Sequence, residues 1–208
     1  MLSKRAARPG PRAGRAGLVD IRTRILDAAR AITLAEGPHG VSARKIAQRV
    51  GCSATAIYLY YRSIDDLLHH LRMEGFEVLV RYLRDVDSTL EPVERVVAMG
   101  RQYWRFGREH ANAYELMFLH RFRRTPRPEV VQREIYALML LRDVVKEGID
   151  GGAFRRDLDL MATTNALWAE IHGLTSLAVS GRLLQTAAGH DQDVLETVLD
   201  GIAHWLRQ

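Results

Sequence analysis

Cysteine is almost absent: Cys52 stands alone in 208 residues, so no internal disulfide can form, and a reducing compartment is the natural setting. Long apolar runs are missing too. The longest, Ile135 to Leu141, has seven residues, far short of the roughly 18 that a membrane-crossing helix requires, and no membrane partner is expected. The basic residues near the start, Lys4, Arg5, Arg8, Arg12 and Arg15, precede no apolar segment of the kind a secretory leader carries, so the expected location is the cytoplasm. Nowhere do apolar and polar residues alternate over the length of a strand. Equally lacking are a nucleophile elbow, a His-Glu-x-x-His pair, a glycine-rich phosphate loop and paired cysteine ligands. His69, His70, His110 and His120 are scattered and read as polar surface. No enzymatic activity, metal or cofactor is expected.

What is present is an uneven charge. The whole chain carries +5, yet residues 1–64 hold twelve Lys/Arg against three acids (Asp20, Asp27, Glu36), whereas residues 65–208 hold eighteen against twenty-two. A cationic first third beside a weakly anionic remainder points to a polyanionic partner, nucleic acid foremost. A GC-rich genome would account for 27 of the 30 basic residues being Arg, but not for their placement.

Residues 1–17, rich in Arg, Ala, Gly and Pro, read as a flexible basic arm. Ile21, Ile25, Ala28, Ile32 and Ala35 then form the apolar stripe of an amphipathic helix that stops at Glu36-Gly37-Pro38. Ser42 is a cap for a helix over 43–50 that ends at Gly51, Ser53 caps a helix over 54–61, and Ser63 with Asp66 opens a long helix to about Asp87. Beyond it, helices are expected from Pro92 to near His110, on to about Phe122, and over 129–150, 159–181 and 192–207. Thr125-Pro126-Arg127-Pro128 reads as a loop, and a Gly-, Ala- and His-containing linker separates the last two helices. The fold class is all-α, with about nine helices.

The segment from Ser42 to Tyr61 concentrates the functional signal. Ala47, Gly51 and Ile57 provide a small residue at a close helix crossing, a glycine in the turn and a branched anchor, which is the spacing of a helix-turn-helix. Ile46, Val50, Cys52 and Ile57 face inward, leaving Ala54, Thr55, Ala56, Tyr58 and Leu59 for a face that fits a major groove.

From about Val19 to Val78 the chain resembles the tetracycline-repressor (TetR) family. The resemblance is carried by Arg24-Ile-Leu-Asp-Ala-Ala, Gly40-Val-Ser-Ala-Arg-Lys-Ile-Ala, Gly51-Cys-Ser, Ala56-Ile-Tyr-Leu-Tyr-Tyr and Ile64-Asp-Asp-Leu-Leu. It implies a DNA-binding domain over residues 18–78, with the helix-turn-helix at 42–61, and an effector-binding and dimerisation domain over 79–208. It makes the third helix the recognition helix, with Ala54, Thr55, Ala56 and Leu59 nearest base edges. Because most of these are apolar, direct reading through that helix is thin, and Arg44 becomes the best base-reading candidate, by a bidentate contact to guanine. A solvent-facing or phosphate-paired Arg44 is the plain alternative. Tyr58 and Tyr60 match phosphate-clamping positions, with core packing as the alternative, and Tyr61 is the better core residue. Ser42, Ala43 and Ser63 belong to helix N-termini that favour phosphate. One departure is Ile64, where the family often has Lys. The basic arm either compensates for it along a phosphate backbone or minor groove, or is only a solvated tail.

In the second part, Trp168-x3-His172-Gly173 and Tyr114-Glu-Leu-Met-Phe118 resemble signatures within the same family. That resemblance implies an effector cavity near Tyr103, Trp104, Tyr114, Met117, Phe118, Met139, Trp168 and His172, although each is also an ordinary core residue type. The last two helices carry broad apolar faces. Leu167, Ile171, Leu174, Val194, Val198, Ile202 and Trp205 are candidates for a two-fold contact between two copies, with an intrachain core as the alternative. The expected function is that of a homodimeric regulator, more often a repressor than an activator, that binds an operator in double-stranded DNA and responds to a small-molecule effector. The competing readings are an enzyme and a nonspecific nucleic-acid or scaffold protein of the same fold without an effector.

Overall fold

The computed structural model describes residues 15–123, 128–184 and 190–207. All regular structure among these is helical: α1 (Arg15–Glu36), α2 (Ala43–Val50), α3 (Ala54–Ile57), α4 (Ile64–Arg84), α5 (Pro92–Glu109), α6 (Ala111–Tyr114), α7 (Pro128–Asp150), α8 (Leu160–Val179) and α9 (His190–Arg207), with a 3-10 turn at Pro38–Gly40 and a π turn at Glu115–Leu119. Helix α1 begins at Arg15, so the expected arm of 1–17 is too long by three residues, and the rest of it lies outside the described residues. So do Thr125 to Arg127 of the expected loop and residues 185–189 of the expected linker.

The caps explain the boundaries. The Ser42 hydroxyl accepts from the Lys45 amide, that of Ser53 from Ala56, and that of Ser63 from Asp66. Each satisfies one of the amides that a helix start leaves open. Gly51 closes α2 at φ 79°, ψ 37°, a left-handed conformation that favours glycine. Helix α3 is shorter than expected. Beyond Ile57 the amides of Tyr58, Leu59 and Tyr60 bond to carbonyls only three residues back, so residues 58–60, expected to be α-helical, form tight turns instead, and Tyr61 lies outside the helix.

Two apolar cores share α4. Ile25, Ala29, Ile32, Ile46, Ile57, Tyr61, Leu67 and Leu71 belong to the first, while Phe76, Leu79 and Leu83 belong to the second, with α5 to α9. The division on α4 falls between Leu71 and Phe76. The π turn is shared as well: Leu116 enters the first core and Met117 the second. Arg30 on α1 grips Glu74 on α4 through two bonds of 2.8 and 2.9 Å, and the amide of Asn112 donates to the Leu34 carbonyl at 2.8 Å. Helix α1 is thereby tied to α4 and to α6. In that unit α5 is central, packing on α4, α7, α8 and α9. At Gly107 it approaches α8 so closely that a Cβ would lie 2.3 Å from Thr175 Cγ2.

Candidate nucleic-acid interface and inner cavity

The capped hairpin presents one outward face. Ala54, Thr55, Tyr58 and Leu59 are exposed, Leu59 at 80%, although burying a leucine gains roughly 1.5–3 kcal/mol. Such a side chain held outward on a fixed turn is available to a partner. Arg44 on α2 is exposed beside it, and Ser42, Ala43 and Ala56 are half-buried at the helix starts. Tyr60 differs: it is half-buried and packs against the first core, so its ring is engaged in the fold. Tyr61 is buried and its hydroxyl donates to the Arg22 carbonyl at 3.2 Å. Cys52 is half-buried against the same core. Arg49 and Arg62 are exposed as well, Arg49 beside Glu36 and Lys45; only their charge could have marked them in the sequence, and charge alone does not tell one surface arginine from another.

The second unit holds a partly open cavity of about 60 Å³, several times what a single water needs. Its walls come from Phe76, Leu79 and Leu83 of α4, Val96, Met99, Gly100 and Tyr103 of α5, Phe118, Glu134, Ala137, Leu138 and Leu141 around α7, Leu167, Trp168 and Ile171 of α8, and Ile202 of α9. Helix geometry sets its run along α4: from Phe76 to Leu83 is about 10 Å at 1.5 Å per residue.

Of the eight residues expected here, Tyr103, Phe118 and Trp168 line the cavity, whereas Trp104, Tyr114, Met117, Met139 and His172 do not. Tyr114 and Met117 are buried in packing, Met117 with its sulfur where a Gly75 side chain would otherwise sit, and Trp104 is buried under the Arg108 guanidinium. His172 stands one layer behind the wall. The Tyr103 and Tyr114 hydroxyls both lie 2.9 Å from its Nδ1, and the Tyr114 hydroxyl also reaches the His172 carbonyl at 3.1 Å. An unprotonated Nδ1 can accept from Tyr103 while Tyr114 donates to the carbonyl, an arrangement that satisfies both phenols. Burial holds the imidazole below its ordinary pKa and pushes both phenols above theirs. The lining residues missed by sequence reasoning are mainly aliphatic, and an aliphatic residue facing a cavity carries the same pattern as one facing the core.

The faces expected to pair two copies are partly consumed within the chain. Leu167, Ile171, Leu174 and Ile202 are buried against the other helices of the second core, because α5 lies across α8 and α9 and takes these side chains for itself. That places the four in the single-chain core rather than on a surface. Val194, Val198 and Trp205 are half-buried at its edge. The outward side of α8 instead carries Ala162, Ala166 and Ala169, with Gly173 half-buried in line. Thr197, Gly201 and His204 face outward from α9. A Cβ built on Gly173 or Gly201 would meet nothing within 4 Å.

Among the described residues no cluster of three metal-ligating side chains occurs, and no helix is long and apolar enough to cross a membrane. Residues 25–71 match the family model of bacterial regulatory proteins, tetR family, and residues 96–202 match that of the tetracyclin repressor-like C-terminal domain. The HTH-type transcriptional repressor KstR2 of Mycobacterium tuberculosis is 28% identical over 145 residues, spanning 67% of this chain and 72% of its own. A protein of unknown function from Rhodococcus sp. RHA1 superposes with a TM-score of 0.75 at 24% identity, over 90% of this chain and 96% of the other. The regulator FadR from Bacillus subtilis, in complex with stearoyl-CoA, superposes with a TM-score of 0.68 at 19% identity, over 88% and 98%. At these identities the superpositions speak for the fold.

Proposed function

The chain belongs to the tetR family of bacterial transcriptional regulators, and from that premise we propose that it is a homodimeric repressor, binding an operator through α2 and α3 and released by a small molecule in the inner cavity. The observation that carries this is the double membership of α4. Its first turns complete the core under the exposed hairpin face, and its later turns wall the cavity. A molecule that changes the packing of Phe76 to Leu83 therefore acts on the same rigid helix that seats the hairpin.

On DNA, Thr55, Ala54, Ala56 and Leu59 meet base edges by methyl and shape contacts, Arg44 reads guanine, and Tyr58 fixes register on phosphate. Ser42 and Ala43 bring the open amides of α2 to the backbone. Two copies pair through the outward sides of α8 and α9, where Ala162, Ala166, Ala169, Gly173 and Gly201 permit close approach and Val194, Val198 and Trp205 flank the contact. Repression is supported by the name of the KstR2 relative. The lining favours a largely hydrocarbon effector, in keeping with the stearoyl-CoA bound to FadR. The effector favours a dimer whose hairpins no longer match successive major grooves, and operator affinity falls by the coupling free energy.

Selection of bound duplexes from a random pool tests this reading. An inverted repeat enriched by the full chain supports it. Uniform, salt-sensitive retention of all sequences favours the nonspecific alternative.

A further inference from the structure

Behind the cavity wall, bonded to the wall residue Glu134, one buried polar side chain lacks a full complement of partners. Arg72 sits on α4 one turn before Phe76, is only 9% exposed, and lies over the rings of Phe76 and Phe122 at 5.6 and 5.5 Å. Its Nη2 donates to Glu134 Oε2 at 2.8 Å, and Glu134 lines the cavity. The Arg72 Nε is buried and finds no hydrogen-bond partner among the described residues. A guanidinium presents a planar fork suited to both oxygens of a carboxylate, and here one prong is unused. Its single partner is the more movable of the two groups: the Glu134 side chain is 36% exposed against 11% for Arg72. Glu134 stands on the half of α7 where Val131, Ile135 and Tyr136 are exposed.

Besides Glu134 the wall carries the Tyr103 hydroxyl, which is engaged with His172, and the remaining lining is almost wholly apolar. The cavity therefore has a largely apolar lining and one wall carboxylate, Glu134, behind which a buried cation is imperfectly matched. Resting on the effector role proposed above, we infer that the ligand is an amphipathic acid: a hydrocarbon body along Phe76 to Leu83, with a carboxylate that replaces Glu134 on Arg72 and takes the fork through Nε and Nη2 together. The exchange is charge-neutral for Arg72 and leaves Glu134 free to turn to water. It also removes one of the polar links from α4 to α7, alongside which stand Glu77 with Arg133 at 3.3 Å and Arg84 with Tyr136. Ligand binding thereby loosens α7 from the helix that seats the hairpin.

The test uses the full chain and three probes of equal length, octanoate, octan-1-ol and octylamine, with binding followed by calorimetry and by tryptophan emission, Trp168 being on the wall. Octanoate is expected to bind about tenfold more tightly than octan-1-ol, the usual weight of a charge-assisted pair. Glu134→Gln, which removes the competing carboxylate, should strengthen octanoate several-fold without changing octan-1-ol. Arg72→Gln should abolish the preference for the acid. Should that variant fail to fold, Glu134→Gln decides alone. Equal binding of the three probes, unmoved by Glu134→Gln, overturns the acid head while leaving an apolar effector cavity. Tightest binding of octylamine, lost in Glu134→Gln, overturns it in favour of a cationic ligand. No binding of any probe overturns both the acid head and the effector role of the cavity.

Discussion

Tyr58→Phe tests the proposed contact between the hairpin and phosphate. The side chain is 51% exposed at the end of α3, and the substitution removes one hydroxyl while keeping the ring, so the folded chain loses no buried contact. Surface changes of that kind stay within about 0.5 kcal/mol of the parent stability. A hydroxyl donating to a charged phosphate oxygen is worth about 1.5–3 kcal/mol, and a dimer on two half-sites uses it twice, for about 3–6 kcal/mol if the sites act independently. At 1.4 kcal/mol per tenfold, operator affinity should drop by roughly two to four orders of magnitude. The assay is a titration of a selected duplex, by anisotropy, across a salt series, beside a urea melt of the same variant. An affinity within twofold of the parent at every salt concentration refutes the phosphate role. A melt displaced by more than about 1 kcal/mol instead assigns the hydroxyl to the fold.

Further outcomes follow from the same contacts. Leu199→Ala opens a cavity at a fully buried site facing Gly100 and should lower unfolding free energy in urea by about 2–5 kcal/mol. Gly51→Ala forces a side chain into the left-handed turn and should cost about 1 kcal/mol or more, read as a lower urea midpoint together with weaker DNA binding. Burial holds the imidazoles of His172 and His120 below the ordinary 6.5 in the folded chain, with His39 adding to the effect on His120. The unfolded chain therefore takes up protons first as pH falls, so stability is full above 6.5 and declines below it; His172→Gln should flatten part of that decline between about pH 7 and 5 in urea melts. Arg44→Ala should relax base preference at one position per half-site by about 1–3 kcal/mol, and equal losses on selected and random duplexes would make it a phosphate contact.

The hairpin was legible in the sequence because its signals are local. Ser42, Gly51 and Ser53 announce their caps by residue type, and the structure draws the corresponding hydrogen bonds and left-handed turn. The length of α3 was not legible, since nothing in Tyr58-Leu59-Tyr60 distinguishes an α turn from the tighter bonding that follows Ile57. Cavity residues divide on similar grounds. Tyr103, Phe118 and Trp168 stand out as aromatics, but so do Trp104 and Tyr114, which packing claimed. Leu79, Leu83, Val96 and Leu141 carry no mark, because whether an aliphatic side chain faces a void or a neighbour depends on helices distant in sequence. Leu167, Ile171, Leu174 and Ile202 illustrate the same ambiguity between core and surface: an apolar stripe specifies burial but not what does the burying. Arg72 and Glu134, 62 residues apart, could be paired only by the fold.

The most direct test of regulation by a DNA-bound dimer is a footprint of the full chain on a duplex it has selected, with the mass of the bound species measured in parallel. One protected inverted repeat, carrying a dimer or a pair of dimers and released by a cavity ligand, is the expected result. Even protection along the duplex, or a single copy bound without symmetry, would contradict it.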